Sequence, residues 1–178
     1  MEISNRILFF KYALPCAETL IKRGNLTPEE FDKMLAKVVK GEEPEKSSES
    51  VFKVAMAHLK LISMQKKKNE VDEDTIREYF LFGHDEAVDE RFEEMGDFDQ
   101  EKCRIYPGVV KEVKNGKALV ETPIGTEPFR NDFVKDLKAL DTVVVHRNFV
   151  IEKISKSLAV KLLESKKRYF PKLKNIFS

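Results

Sequence analysis

Apolar side chains recur at intervals of three and four along the first hundred residues, and this spacing predicts amphipathic helices. A first helix should carry Leu8 and Tyr12 on its apolar face. Pro15 lacks a backbone donor and should kink this helix, and Gly24-Asn25 should end it.

Thr27-Pro28-Glu29-Glu30 predicts the start of a second helix. Threonine can cap a helix, proline suits the first turn, and a glutamate three residues after the cap can close a capping box. The helix should stop at Gly41, and the polar segment 42–50 is predicted to be a loop.

Three more helices are expected in this half of the chain. One is predicted over 51–62, where apolar residues keep the helical spacing, and Asp72 can cap the next. Gly83 should separate that helix from a short one around Val88. The first hundred residues are therefore interpreted as a small helical bundle with an acidic surface.

From Cys103 the hydrophobic period changes to two, which is typical of strands. Asn115-Gly116 suits a tight hairpin turn, and further strands are predicted over 142–147 and 149–154. Five short strands separated by turn residues favour a small barrel, which a helix over 157–167 could cover. We therefore predict an α+β fold: an α-helical bundle over 1–100, then a five-stranded OB-like β-barrel with a C-terminal helix over 101–178.

The charge distribution supports a boundary near residue 100. Residues 1–101 carry 23 acidic against 15 basic side chains, a balance of −8, whereas residues 102–178 carry 8 against 17, a balance of +9. Such asymmetry between halves is typical of two modules with different partners.

Composition indicates a globular, soluble protein, with 42% hydrophobic and 35% charged residues. Abundant Lys and Glu beside only two Gln resemble the bias of thermophile proteins. Two cysteines are too few for a disulfide scaffold in a chain of 178 residues, so both are interpreted as reduced thiols. Lys11 interrupts the apolar start, and no stretch reaches the length of a membrane span, so a cytoplasmic location is expected.

The most informative chemistry is a thiol and an imidazole in the predicted barrel. Cys103 precedes its first strand, and His146 ends a β-branched strand that turns and continues at Phe149. Thiolate and imidazole are the ligand types that hold soft or borderline metal ions. An ordinary half-buried thiol and a hydrogen-bonded histidine at a strand end are the competing interpretation.

Three segments in this module resemble the HypC/HupF-type hydrogenase maturation factors. That family has a Cys followed after three residues by Pro-Gly and a valine-rich strand, then Asp-x-Val-x-Val-His, then Phe-x-Ile-x-Lys. The matching residues here are Cys103, Pro107, Gly108 and Val110; Asp141, Val143, Val145 and His146; and Phe149, Ile151 and Lys153. The resemblance covers 103–164 and implies an OB-like barrel with a trailing helix.

The resemblance also implies a function. It implies that Cys103 is the thiolate ligand of a transient iron centre, with His146 as second ligand or as the base that keeps Cys103 deprotonated. It further implies that Pro107, Gly108 and Phe149 contact a partner protein, a metalloenzyme subunit or a maturation factor. The family's Cys stands at the chain start, whereas about a hundred residues precede Cys103 here. Leu140 and Asn148 also stand where the family usually has glycine.

Nucleic-acid binding is an alternative function of a different class. The segment 166–174 is basic and contains two aromatic residues, so it could neutralise phosphates and stack on bases. The same cations would also suit a helix C-terminus, and the apolar residues could dock on the protein. The candidate residues are Lys166, Lys167, Arg168, Tyr169, Phe170, Lys172 and Lys174.

The remaining candidates have plainer interpretations. Cys16 and His58 are expected in the helical core. His84 begins an acidic helix face, which is more typical of a solvent-exposed surface than of a metal site. The sequence contains no phosphate-binding loop, nucleophile elbow, Cys-x-x-Cys pair or zinc-protease motif. We therefore predict a protein that is not an enzyme, with a third alternative in which the barrel serves only as a scaffold.

Overall fold

The computed structural model describes residues 1–96, 98–167 and 170–177, and the chain divides into two compact units, Met1–Gln100 and Glu101–Ser178. The first unit is built from helices, and α7 (Gln100–Cys103) spans the boundary. The helices before it are α1 (Arg6–Ala13), α2 (Ala17–Lys22), α3 (Pro28–Lys40), α4 (Lys53–Gln65), α5 (Glu73–Glu78) and α6 (His84–Met95). The expected kink at Pro15 is a 3-10 turn, Leu14–Cys16, between α1 and α2.

Buried aromatic rings fill the interior of the first unit. Phe9 lies 5.1 Å from Phe10 and 5.9 Å from Phe52, in both cases edge to face. Tyr12 stacks on Phe80 with ring centroids 5.0 Å apart. Such ring pairs add stability beyond the area they bury, so α1 is fixed by aromatic contacts with Phe52 and Phe80.

The start of α3 confirms the signal in the sequence. Thr27 Oγ1 accepts a hydrogen bond from Glu30 N at 3.1 Å, and Glu30 Oε2 accepts one from Thr27 N at 2.9 Å. Gly41 ends the helix with φ +80°, a left-handed conformation that glycine adopts without a Cβ penalty.

The loop predicted over 42–50 is partly wrong, because Lys46–Val51 forms a 3-10 helix. Short local bonds maintain it, including one from Ser50 Oγ to Ser47 O at 2.7 Å. Glu49 is buried within this turn, and burial raises the pKa of its carboxyl group. A polar stretch that folds back on itself in this way carries no hydrophobic period that could predict it.

The break predicted at Gly83 does not occur, and the helical path continues through this residue. A π-helical turn, Tyr79–Gly83, joins α5 directly to α6. Tyr79, Phe80 and Leu81 are all buried in this turn. The wider turn lets three consecutive large side chains reach the interior, which a regular helix would spread around its axis.

The second unit confirms the predicted five-stranded closed barrel followed by a helix. Neighbouring strands follow the order β1-β2-β3-β5-β4, and β1 pairs with β4 to close the barrel. All neighbours are antiparallel except β3 and β5. The elements are β1 (Ile105–Lys114), β2 (Lys117–Thr122), β3 (Gly125–Arg130), β4 (Thr142–His146), β5 (Phe149–Lys153) and α8 (Lys156–Lys167).

The β1–β2 hairpin turns at Asn115-Gly116, as predicted. Asn115 has φ +50° and Gly116 has φ +72°, and positive φ at both central residues matches the twist of paired strands. The turn sets the register that pairs Lys114 with Lys117 and Val110 with Val120.

Two clusters of buried apolar side chains stabilise the barrel and the C-terminal segment that follows it. The barrel interior is filled by Tyr106, Val110, Ala118, Val120, Phe129, Leu137, Val143, Val145 and Val150. Outside it, Ala159 and Leu163 of α8 form a second buried cluster with Phe177 near the C-terminus. Leu173 contacts both clusters, so the C-terminal segment is docked on the barrel.

Gly108 of β1 lies directly against residues of β2. A Cβ at this position would be 2.5 Å from Val120 Cγ1 and 3.0 Å from the carbonyl oxygen of Glu121. Contacts this short would force a strand to move, so the barrel requires glycine here.

No helix in the described part of the chain is both long enough and apolar enough to cross a membrane.

Gly108→Ala should lower the free energy of unfolding of the barrel by about 1–3 kcal/mol, because overpacking a tight interior displaces its neighbours. Chemical denaturation followed by circular dichroism measures this change. Gly83→Ala is the matched control, since its Cβ would meet only Tyr79 Cδ2, at an ordinary 3.6 Å. Equal stability of wild type and Gly108→Ala would contradict the close approach.

Asp72 should make the first unit sensitive to acid. A hydrogen bond from Lys68 lowers the pKa of its carboxyl group to about 2, and it also caps α5 by accepting from Thr75 N at 2.9 Å. The stability that the charged Asp72 contributes is fully present at pH values above its ordinary pKa of 3.8. It is lost as the pH falls toward about 2.

Asp72→Ala should therefore cost about 1 kcal/mol near neutral pH, and the difference from wild type should shrink as the pH falls through that range. Asp72→Asn is the control, because asparagine also caps helices but does not titrate. It should keep the capping contribution but not the pH-dependent part that the carboxylate gains from Lys68, so its stability relative to Asp72→Ala should stay constant across the acid range. If the difference in unfolding free energy between wild type and Asp72→Ala stayed constant down to about pH 2, the pH dependence could not come from Asp72.

Candidate functional site

The candidate site of the second unit brings together the thiol and the imidazole singled out in the sequence. Cys103 is the last residue of α7 and precedes β1, and His146 is the last residue of β4. Their elements meet because Ile105 of β1 pairs with His146 across the sheet. Both residues are buried, and His146 is fully enclosed.

His146 contacts the main chain of Cys103. Its Nε2 lies 3.0 Å from the carbonyl oxygen of Cys103. Because a carbonyl oxygen can only accept, Nε2 carries the hydrogen and donates it. In a neutral ring the lone pair then lies on Nδ1. The histidine therefore fixes the backbone that carries the thiol, in a bond that does not involve the sulfur.

Arg147 contacts the sulfur directly. Its Nη1 donates to Cys103 Sγ at 3.3 Å. The guanidinium stays charged at every ordinary pH, and a cation beside a cysteine favours the thiolate, the form that binds metals and reacts. Charge and geometry at this site thus favour a reactive or ligating sulfur.

A two-residue turn between β4 and β5 aims Arg147 at the thiol. His146 pairs with Phe149, so Arg147 and Asn148 alone connect the strands. Arg147 has φ +52°, a left-handed conformation that costs a residue with a side chain about 1 kcal/mol. Strained residues persist where the surrounding structure fixes them, and they concentrate at functional sites.

The residues that the resemblance assigns to partner contact are buried. Pro107 and Gly108 lie in β1 and are both buried. Phe149 is buried beneath the Arg130 guanidinium at 4.6 Å and stacks on Phe133 with ring centroids 5.3 Å apart. They hold the barrel together in this structure, and partner contact through them stays a prediction.

The basic C-terminal segment engages the second unit at several points. Lys166 is only 2% exposed, with Nζ 5.8 Å from the centroid of the Tyr106 ring, and Phe170 lies 4.5 Å beneath the Arg104 guanidinium. Lys167 pairs with Glu164 at 2.8 Å.

The rest of this segment is more open. Lys172 is exposed, and Lys174 is 72% exposed while reaching Glu121 at 3.5 Å. Arg168 and Tyr169 lie outside the described residues.

In the first unit, Cys16 and His58 are half-buried, whereas the sequence predicted both in the helical core. His58 stacks on Tyr79 with ring centroids 5.3 Å apart. Cys16 Sγ instead lies 3.9 Å from Nε2 of His84, a buried residue that opens α6. The acidic face expected around His84 includes Arg91, which pairs with Glu94 at 2.8 Å.

Sequence reasoning missed Arg147. Its one signal is its position, directly after the candidate histidine and before a second strand, where a turn residue projects back over the strand ends. Nothing in composition or spacing distinguishes it from the chain's other basic residues.

A scan against models of known protein families finds no match to this chain, and a search of curated proteins finds no similar sequence.

Arg147→Gln should slow alkylation of Cys103 by iodoacetamide at neutral pH several-fold, because the charge that favours the thiolate is lost. Arg147→Lys keeps the charge and should retain most of the rate. The measurement uses a Cys16→Ser background, so that Cys103 is the only thiol, and follows the rate against pH by mass spectrometry. Equal rates in both variants would rule out an electrostatic role for Arg147.

Proposed function

We propose that this protein is a non-catalytic accessory factor that carries a transient soft metal ion, such as iron, on the Cys103 thiolate and acts through protein contacts in the cytoplasm. Its second unit would be an OB-like barrel akin to that of the HypC/HupF-type maturation factors, and its first a small helical bundle. The metal is cargo in this proposal, destined for a metalloenzyme subunit.

The observation that carries the proposal is the environment of Cys103. Its sulfur accepts a hydrogen bond from a permanent cation, and its carbonyl oxygen is held by His146. A thiolate is a good ligand for Fe(II), and a ligand set with few protein groups leaves the ion transferable.

His146 acts as a positioning residue in this proposal. Its Nε2 donates to the main chain, which fixes the direction in which the Cys103 side chain leaves the backbone. Hydrogen bonds that orient the groups around a metal ligand commonly decide how well the site binds.

The nucleic-acid alternative is supported less well by the contacts of the basic segment. Phe170, the one described aromatic residue in it, already stacks with Arg104, and Lys166 is buried. Stacking on bases needs an accessible ring. Oligonucleotide binding with a steep salt dependence would nevertheless restore that alternative over metal transfer.

An anaerobic titration with Fe(II) tests the proposal. In a Cys16→Ser background, Cys103 is the sole thiol, so thiolate-to-iron absorption can arise only from it. We expect near-stoichiometric absorption that disappears in Cys16→Ser/Cys103→Ser and weakens at least about tenfold in affinity when His146→Ala is added. His146→Gln is the matched control and should keep most of the affinity, because its amide can still donate to the Cys103 carbonyl oxygen.

Two results would contradict the proposal. The first is the absence of thiolate-to-iron absorption in folded Cys16→Ser protein, with folding verified by circular dichroism. The second is iron that an external chelator fails to remove, because a cargo ion must leave its carrier.

A further inference from the structure

The first unit contains a second thiol–imidazole pair, which the proposed function does not use. Cys16 and His84 lie 68 positions apart in the sequence, yet Cys16 Sγ and His84 Nε2 are 3.9 Å apart. Cys16 is half-buried and His84 is 6% exposed. The pair therefore lies close to the surface but is shielded on the imidazole side.

Irregular helical turns place both residues. Cys16 ends the 3-10 turn Leu14–Cys16, which forms where Pro15 interrupts the first helical path. His84 directly follows the π-helical turn Tyr79–Gly83. A π-turn costs hydrogen-bond geometry and is found frequently at functional sites, because it redirects a side chain that a regular helix would aim elsewhere.

Aromatic neighbours fix the orientation of the His84 ring. Tyr79 meets it edge to face at 6.0 Å, and Phe80 lies 5.8 Å away at a tilted angle. His58 stacks on the Tyr79 ring, which supports Tyr79 in turn. An imidazole packed this way loses little conformational freedom when it binds an ion, and preorganised ligands bind more tightly.

The distance between the two ligand atoms fits a shared metal ion. Zn–S and Zn–N bonds of about 2.3 and 2.0 Å at a tetrahedral angle would separate sulfur and nitrogen by about 3.5 Å. The observed separation exceeds this value by only about 0.4 Å, a shift that a small side-chain rotation supplies. For a thiol–imidazole hydrogen bond, by contrast, 3.9 Å is near the upper limit for sulfur.

We propose that Cys16 and His84 are two protein ligands of a zinc-class divalent cation bound by the first unit. Thiolate and neutral imidazole are the donor pair that zinc prefers, and the half-buried Cys16 gives an ion and its water ligands access. Neither residue has a role in the proposed function, and this inference does not rest on it.

Cobalt(II) titration of the full chain in a Cys103→Ser background tests this site, since Cys16 is then the sole thiol. We expect thiolate-to-cobalt absorption that saturates at one equivalent and that Zn²⁺ displaces. It should vanish in Cys103→Ser/Cys16→Ser and lose at least about tenfold in affinity on addition of His84→Gln. His58→Gln is the matched control: it should retain the band with a much smaller loss of affinity than His84→Gln, because His58 only supports the ring of Tyr79 and is not a proposed ligand.

Three outcomes would overturn the inference. One is a Cys103→Ser protein that stays folded but gives no thiolate-to-cobalt absorption. Another is a band that survives loss of Cys16, and the last is a band that His58→Gln weakens as much as His84→Gln does. Because this experiment and the iron titration each retain a different cysteine, either site can fail without the other.

Discussion

The barrel depends on one strand that must pair with two different neighbours. The first half of β1, Ile105 to Val109, pairs with β4, and its second half, Val109 to Lys114, pairs with β2. The strand must therefore bend where one partner replaces the other. Gly108 lies at this point, and its missing side chain lets Val120 and Glu121 approach. A bulge between Val110 and Glu112 bends the strand further, which is how sheets close into small barrels.

This closure also determines the environment of Cys103. Once the first half of β1 is paired with β4, Ile105 and His146 lie opposite each other, and the residues just before β1 meet the end of β4. The hydrogen bond from His146 to the Cys103 carbonyl oxygen is therefore a continuation of the strand pairing by a side chain. The same closure brings the β4–β5 turn, with Arg147, over the sulfur. One pairing thus creates the whole arrangement around the thiol.

The features that the sequence predicts well are those encoded by neighbouring residues. The capping box at Thr27, the positive-φ turn at Asn115-Gly116 and the strands of the barrel are all local, and the structure contains each of them. The 3-10 helix at Lys46–Val51 and the π-turn at Tyr79–Gly83 escape prediction because no hydrophobic period encodes them. The approach of Cys16 to His84 escapes for a stronger reason. It depends on where two irregular turns direct the chain, and of these the sequence shows only the kink at Pro15.

The chain's two cysteines have histidine neighbours of different kinds, and the difference separates their chemistry. His146 donates to the carbonyl oxygen of Cys103, so that its ring orients the backbone while Arg147 contacts the sulfur. His84 instead directs Nε2 at the sulfur of Cys16 itself. A sulfur beside a guanidinium is poised as a thiolate that can accept and release an ion, since the cation cannot act as a ligand. A sulfur facing an imidazole nitrogen has a second ligand atom, so an ion there would be held from two sides and would leave more slowly. The two proposals therefore assign the pairs different tasks, transfer at Cys103 and retention at Cys16.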